Sequence, residues 1–281
     1  MINLDRLSYK YRKGALALDD VTAEIGPGLH LLLGENGSGK TTLLHLIAGL
    51  RKAKPGNACM IDGQPTASRL PGVLGETFIV TDNMKYPFRN VNEMVKYHAP
   101  FYPRFDAELL KSNLNAFSMT GDEPFDRFSL GNRRKAQLAY AIALRPKVLL
   151  LDEPANGLDI LSRDVLVKMI ATNTTDDQTV ILSTHVVFDF QNVVDGVIVL
   201  SHGKLLVSCP VWKITERLSF VSDTEPVSGS LYMQPSLGRI NAIVPNDGSN
   251  ETDIDFILLY GALQSNARQQ IINILNDEDN D

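Results

Sequence analysis

The chemistry of this chain begins at Gly34-Glu35-Asn36-Gly37-Ser38-Gly39-Lys40-Thr41-Thr42, which fits the pattern G-x-x-x-x-G-K-[ST]. Gly34, Gly37 and Gly39 let the backbone turn tightly and aim several N–H groups at one centre, as a phosphate requires. Lys40 adds a compact positive charge with the reach to touch β- and γ-phosphates. The hydroxyl of Thr41 is a hard oxygen of the kind a Mg²⁺ shell takes. Two carboxylates stand at a second point, Lys147-Val148-Leu149-Leu150-Leu151-Asp152-Glu153-Pro154. Asp152 is suited to the Mg²⁺ shell through water. Glu153, projecting the other way along the pleat, is suited to polarise an attacking water. His185 follows the apolar run Thr179 to Ser183. His30, His45, His98 and His202 have no comparable context and read as structural or surface residues.

Two further positions admit more than one reading. Tyr11 is either a half-exposed strand tyrosine or a flat platform for an adenine ring. Ser129 and Gly131, in Phe128-Ser129-Leu130-Gly131-Asn132-Arg133-Arg134, precede an alanine-rich run from Lys135 to Leu144. That is an ordinary capped helix start, or a second anion site at a helix N-terminus.

The elements that must position these residues read as follows. Ile2 to Tyr11 and Leu16 to Ile25 alternate as strands, and Pro27-Gly28 turns into the apolar strand Leu29 to Leu33. Such continuous apolar runs are expected of buried parallel strands, whose C-terminal ends carry ligands. Thr42 to Leu50 reads as a helix. Pro55 to Gly75 is rich in Gly and Pro, with a turn at Ile61-Asp62-Gly63, and Glu76 to Val80 is the next strand. A polar loop, Thr81-Asp82-Asn83-Met84-Lys85-Tyr86-Pro87, leads into a helical stretch from Val91 to Phe117, interrupted by Pro100 and Pro103. Asn156-Gly157-Leu158-Asp159 is a turn before an amphipathic helix to about Asn173. Gly196 to Cys209 reads as a hairpin through His202-Gly203 at the sheet edge. Beyond Pro210, Leu231 to Met233 and Ile240 to Val244 read as short strands, Asp255 to Leu275 as helix, and the acidic Asn276 to Asp281 as a frayed end.

The 281 residues suffice for a large α/β domain with an appendage, and 44% are hydrophobic, enough for a substantial core. A net charge of −6 argues against binding nucleic acid through a basic surface. Cys59 and Cys209 lack metal-ligand spacing and read as buried thiols in a reducing cytosol. The start of the chain is charged, so no signal peptide is expected. No apolar run is long enough to span a membrane, so a membrane role is expected to come through a partner.

Taken in order, these motifs resemble the ATP-binding subunits of ABC transporters over residues 1 to about 210. Gly34 to Thr42 resembles the family's Walker A loop, Phe128 to Asn132 its signature, and Val148 to Glu153 its Walker B strand with catalytic glutamate. Gly157-Leu158-Asp159 resembles the D-loop, and His185 the switch histidine. The resemblance implies an α/β P-loop NTPase fold with a mainly parallel core sheet, an antiparallel β subdomain and an inserted helical subdomain at about 88–145. Residues 211–281 would then be a small α+β extension. It implies ATP hydrolysis with ATP and Mg²⁺ as cofactors. Nucleotide would be bound by Tyr11, Gly34 to Thr42, Ser129 and Gly131, and metal by Thr41, Asp152 and Asp82. Glu153, His185 and Lys40 would serve catalysis.

The implied partners are a separate transmembrane permease and a second ATP-binding subunit, identical or different. The implied place is the cytoplasm, peripheral on the inner face of the cell membrane. Two departures stand out. Asp82 occupies the place of the usual Q-loop glutamine, and Leu130 and Asn132 alter the signature. Together with Phe101-Tyr102-Pro103-Arg104-Phe105-Asp106 they resemble the subgroup serving multidrug and antimicrobial-peptide exporters. The alternative is a soluble ABC-type ATPase acting on DNA or ribosomes. The stretch from Lys40 to Ser129 leaves no space for the coiled coil of DNA-repair members, and the chain has one cassette where ribosome-acting members usually have two. A hydrolysis-poor regulatory subunit is disfavoured by Glu153 and His185. The segment beyond residue 211 carries no phosphate- or metal-site residues and is expected to be dispensable for nucleotide chemistry.

Overall fold

The computed structural model describes residues 1–12, 14–53, 58–82, 87–246, 248 and 252–276. Pro55 in the Gly/Pro-rich stretch, Asn83 to Tyr86 in the polar loop and the acidic end 277–281 lie outside the described residues.

The chain opens with strands β1 (Ile2–Lys10) and β2 (Leu16–Ile25) and turns into β3 (Gly28–Leu33). Helix α1 (Lys40–Ile47) follows the glycine-rich loop directly, two residues earlier than the sequence predicts. A hairpin, β4 (Ala58–Ile61) and β5 (Gln64–Pro65), turns at Asp62-Gly63 and leads through the short helix α2 (Pro71–Gly75) to β6 (Thr77–Val80). The helical stretch breaks at its prolines into α3 (Val91–Tyr97) and α4 (Ala107–Ala116). Asn90 caps α3 through the Glu93 N–H at 2.9 Å, and Asp106 caps α4 through the Leu109 N–H at 2.8 Å. Then come α5 (Leu130–Ala143), β7 (Val148–Asp152), α6 (Ile160–Asn173), β8 (Thr179–Ser183), the short α7 (Val187–Phe190) and the hairpin β9 (Gly196–Ser201) and β10 (Lys204–Pro210).

These strands form two sheets. One is antiparallel, in the order β2-β1-β4-β5. The other has six strands in the order β10-β9-β3-β8-β7-β6, parallel except for the β10 edge. The apolar runs are buried on both faces, and the pleat sorts them. Leu31, Leu149, Leu151 and Leu182 join a core shared with α5 and α6. Leu32, Leu150, Ile181 and Ile198 join a second core with α1 and the antiparallel sheet. The parallel strands therefore all present their C-terminal ends on one side, and every candidate carboxylate arrives there.

Beyond Pro210 the chain forms α8 (Val211–Arg217), β11 (Leu218–Asp223), β12 (Tyr232–Ser236), β13 (Arg239–Pro245), α9 (Phe256–Leu263) and α10 (Arg268–Asn276). The three strands make an antiparallel sheet in the order β11-β13-β12. The sequence signals miss α8 and β11, and the single expected helix breaks in two after Leu263, where Ser265 accepts from the Ala267 N–H at 3.1 Å. Phe256, Leu259 and Ile243 belong to the same apolar cluster as Leu31 and Leu149, so the C-terminal segment shares the core of the larger sheet. Among the described residues, no helix is long and apolar enough to cross a membrane.

Candidate active site

A cleft of about 470 Å³ opens at the C-terminal ends of β3 and β7. Its floor is the glycine-rich loop. Gly39 caps α1 at φ 108°, and a Cβ there would fall 2.5 Å from the Ala17 carbonyl oxygen, so no larger residue fits. No side chain caps α1, which leaves its first-turn N–H groups for an anion. Lys40 is buried, and its Nζ donates to the carbonyls of Gly34 at 2.6 Å and Glu35 at 3.1 Å. Burial pulls the Lys40 pKa down, while the charges of Glu153, Asp152 and Glu35 oppose that pull.

Asp152 is the last residue of β7 and lies in register with Ser183 on β8. Its two oxygens are both engaged: Thr41 Oγ1 donates to Oδ2 at 2.8 Å, and Ser183 Oγ donates to Oδ1 at 2.6 Å. Thr41 and Asp152 thus set two hard oxygen donors side by side at the mouth of the loop. Mg²⁺ takes few protein ligands and completes its shell with water and phosphate, so this donor set fits it. Among the described residues no group of three or more His, Cys, Asp or Glu side chains could hold a metal by itself.

Glu153 reaches the cleft differently from what the pleat alone implies. The strand ends at Asp152, and Glu153 takes a left-handed conformation, φ 49°, which turns its side chain to the same cleft as Asp152. Such a conformation in a non-glycine residue is strained, and surrounding bonds must hold it. Here the Glu153 N–H donates to the Ser183 carbonyl at 3.0 Å, and Glu153 Oε2 accepts from the His185 N–H at 3.3 Å. Glu153 Oε1 is buried and makes no aligned hydrogen bond among the described residues, although His185 Nε2 lies 3.1 Å away. Burial raises the Glu153 pKa, with His185 and Lys40 opposing. A carboxylate made more basic by burial is what a water-activating group needs.

Tyr11 stands at the rim of the cleft. Its hydroxyl meets Thr42 Oγ1 at 3.0 Å, and the Arg51 guanidinium lies 4.7 Å from its ring centre. Asp82 also lines the cleft, but its carboxylate is bonded to Arg134 at 2.6 Å. The Arg134 side chain is 4% exposed and also donates to the Thr81 carbonyl at 3.0 Å. Ser129 and Gly131 do not line this cleft. Ser129 caps α5 through the Asn132 N–H at 3.1 Å, and a Cβ on Gly131 would fall 2.7 Å from the Gly157 carbonyl oxygen. Gly131 therefore serves the close approach of α5 to the Asn156–Asp159 turn.

The sequence reading overlooks Ser183 and Arg134. Ser183 carries a faint signal, a polar residue closing an apolar strand. Arg134 carries none, because its partner at Asp82 is remote in the chain.

Fold and cleft define a nucleotide hydrolase built on a phosphate-binding loop. The ABC transporter family profile matches residues 18–156. A protein of Pyrococcus horikoshii described as an ABC transporter ATP-binding protein is 32% identical, covering 73% of this chain and 82% of that protein. An energy-coupling factor transporter ATP-binding protein of Thermotoga maritima is 28% identical, covering 85% and 92%. Among solved structures, a cobalt-transport ATP-binding protein superposes with a TM-score of 0.64 at 22% identity, covering 97% of this chain and all of the other. A dimeric ATP-binding cassette holding ADP and Pi superposes with a TM-score of 0.62 at 22% identity, covering 75% and 98%. The last two are likenesses of fold.

The chain belongs to the ABC transporter ATP-binding proteins. It is an ABC-type ATPase, the ATP-hydrolysing subunit of a transporter.

Proposed function

We propose that this subunit works as one of a pair, docked on a separate transmembrane permease at the inner face of the membrane, and that its cycle drives export. Residues 1–210 would form the ATP-binding domain, with a helical insertion at about 88–145 that meets the permease, and 211–281 an extension. The observation that carries the docking is a groove of about 660 Å³ between α2, β6 and the segment after α3. Leu74, Phe78, His98 and Tyr102 line it. Phe101, 71% exposed, and the exposed Leu50 also line it, and the exposed Leu70 and Tyr97 neighbour lining residues in the sequence. Such a patch suits an apolar protein segment.

Within the cleft the proposed roles follow from the geometry. Lys40 and the α1 N–H groups hold the phosphates. Thr41 and Asp152 hold Mg²⁺, which when bound neutralises charge on the β- and γ-phosphates. Glu153 Oε1 accepts a proton from the attacking water, and His185 contacts the γ-phosphate. Tyr11 carries the adenine, with Arg51 behind its ring. Asp82 would meet the metal only through water, because Arg134 holds its carboxylate.

Pairing is supported by the position of Ser129 and Gly131 outside the cleft. Leu130, Ile160, Leu161 and Phe188 are exposed large apolar residues that lie in, or within three positions in sequence of, the signature, the D-loop and the switch histidine. A fold neighbour is described as dimeric. Export rests on the altered signature and on Phe101 to Asp106. Relatives of the energy-coupling factor type do not share that subgroup.

Flotation with membrane vesicles from the source cells tests the docking. Wild-type chain is expected to float and to cross-link from position 101 to an integral membrane protein. Phe101→Asp should stay soluble, with basal ATPase activity within about twofold of wild type, as for an exposed site away from the cleft. Equal flotation of both would remove the groove from the interface, and flotation of neither would overturn the permease reading.

A further inference from the structure

The phosphate loop is gripped from a part of the chain that the cassette motifs do not include. Glu35 Oε1 accepts from the His202 N–H at 3.1 Å and lies 3.1 Å from His202 Nδ1. Glu35 Oε2 accepts from the Tyr260 hydroxyl at 3.3 Å. Tyr260 is on α9, far along the sequence in the C-terminal extension. Gln264, the C-cap of α9, continues the grip: Ser201 Oγ donates to Gln264 Oε1 at 3.1 Å. Arg268 fastens this end by donating to the Leu263 carbonyl at 2.6 Å.

The other side of Glu35 faces the nucleotide cleft. Its backbone carbonyl accepts from Lys40 Nζ at 3.1 Å and from the Ser38 N–H at 3.1 Å. The Gly203 N–H donates to the Ser38 carbonyl at 3.0 Å, so the β9–β10 turn is tied to the loop as well. The helix that holds Tyr260 is packed into the core, with Phe256, Leu258, Leu259, Ala262 and Leu263 of α9 all buried. Burial and the charge of Glu35 raise the Tyr260 pKa, so the phenol keeps its proton and acts as donor at neutral pH.

We propose that Tyr260 and Gln264 are positioning residues for ATP binding, through which the C-terminal extension holds the phosphate loop in its phosphate-receiving shape. Neither lines the nucleotide cleft. Without the grip the loop spreads over other conformations, and apparent affinity falls by the fraction left competent. Turnover of bound ATP is spared, because Glu153 and His185 are held by β7 and β8 and not by the extension. The expectation that the extension is dispensable for nucleotide chemistry is replaced by this one.

The test uses the full chain with Tyr260→Phe, which keeps the ring and removes one hydroxyl. Titration with a fluorescent ATP analogue in Mg²⁺ should show Kd raised about three- to tenfold, the range of one ordinary net hydrogen bond. KM should rise in parallel, with kcat within about twofold and the thermal midpoint within about 2 °C. In a Glu35→Ala background the same change should add nothing further. Unchanged Kd and KM, a fall in kcat alone, or an equal loss in both backgrounds would each overturn the proposal. Should Tyr260→Phe melt early, Glu35→Gln serves instead. Its amide oxygen still accepts from the phenol, so its affinity must lie nearer wild type than that of Glu35→Ala, and the reverse order refutes the grip.

Discussion

The molecule uses one local device twice, to different ends. Helix α1 and helix α5 both begin at a motif with anion character. At α1 the cap is Gly39, no side chain occupies the first-turn N–H groups, and Lys40, Thr41 and Asp152 converge on the same cleft. At α5 the cap is Ser129, its hydroxyl already engages the Asn132 N–H, and the residues around it are exposed, Leu130 at 82%. The first half of the site is concave and assembled within one chain. The second is an exposed surface around Leu130 that does not line the cleft. A helix N-terminus becomes a site when other elements close over it, and for α5 the proposed closing element is a second subunit.

The sharpest way to test the assembled half is Glu153→Gln. It keeps the size of the side chain and removes the basic oxygen. Hydrolysis in single turnover should fall by about 10²- to 10⁴-fold, the usual worth of a general base, with ATP still bound. Hydrolysis at the wild-type rate would take the water-activating role away from Glu153.

The exposed half is tested by mixing Lys40→Ala with Ser129→Arg chains. Each homodimer then carries two broken sites. A mixed head-to-tail dimer gathers both lesions in one site and leaves the other whole. With random pairing, about a quarter of wild-type sites should be restored, and ATPase activity should return in proportion. Mixed dimers shown to form but without activity would mean that the site closes within one chain, or that both sites must work together.

The smallest effect is expected at Asp82, which lies between the two halves. Asp82→Gln takes a carboxylate from buried Arg134, but Asp82 itself is 58% exposed and the guanidinium keeps the Thr81 carbonyl. A loss of about 1 kcal/mol, or about 2–4 °C in the thermal midpoint, follows for a pair so exposed on one side. ATP affinity should stay within about twofold, since a group held by Arg134 contributes little directly to nucleotide binding. A tenfold loss of affinity would place the carboxylate in direct contact with the metal.

How legible each part was depends on how far apart its partners lie in the chain. The glycine-rich loop and α1 are contiguous, so their chemistry can be read from adjacent residues. The buried strands announce themselves by apolar runs, and their C-terminal ends give Asp152 and His185. Prolines at 100 and 103 mark the break between α3 and α4 for a steric reason. In the C-terminal extension the readings at Leu231 to Met233 and Ile240 to Val244 fall on β12 and β13, whereas β11, with only its first two residues buried, shows no alternation to read. Strand β12 has four exposed residues out of five, so its pattern barely rises above that of a loop.

Local sequence alone determined the phosphate loop, the strand-end carboxylates, the caps and the order of the cassette motifs, because each depends on residues a few positions apart. Tertiary structure decided the rest. The direction of Glu153 came from a left-handed turn that the Ser183 carbonyl holds in place. The partner of Asp82 came from α5, the second bond to Asp152 from β8, and the grip on Glu35 from α9. Each is a single hydrogen bond or ion pair across the fold. Such pairs leave no periodicity in the chain, and only the packing of the two apolar cores brings them within reach.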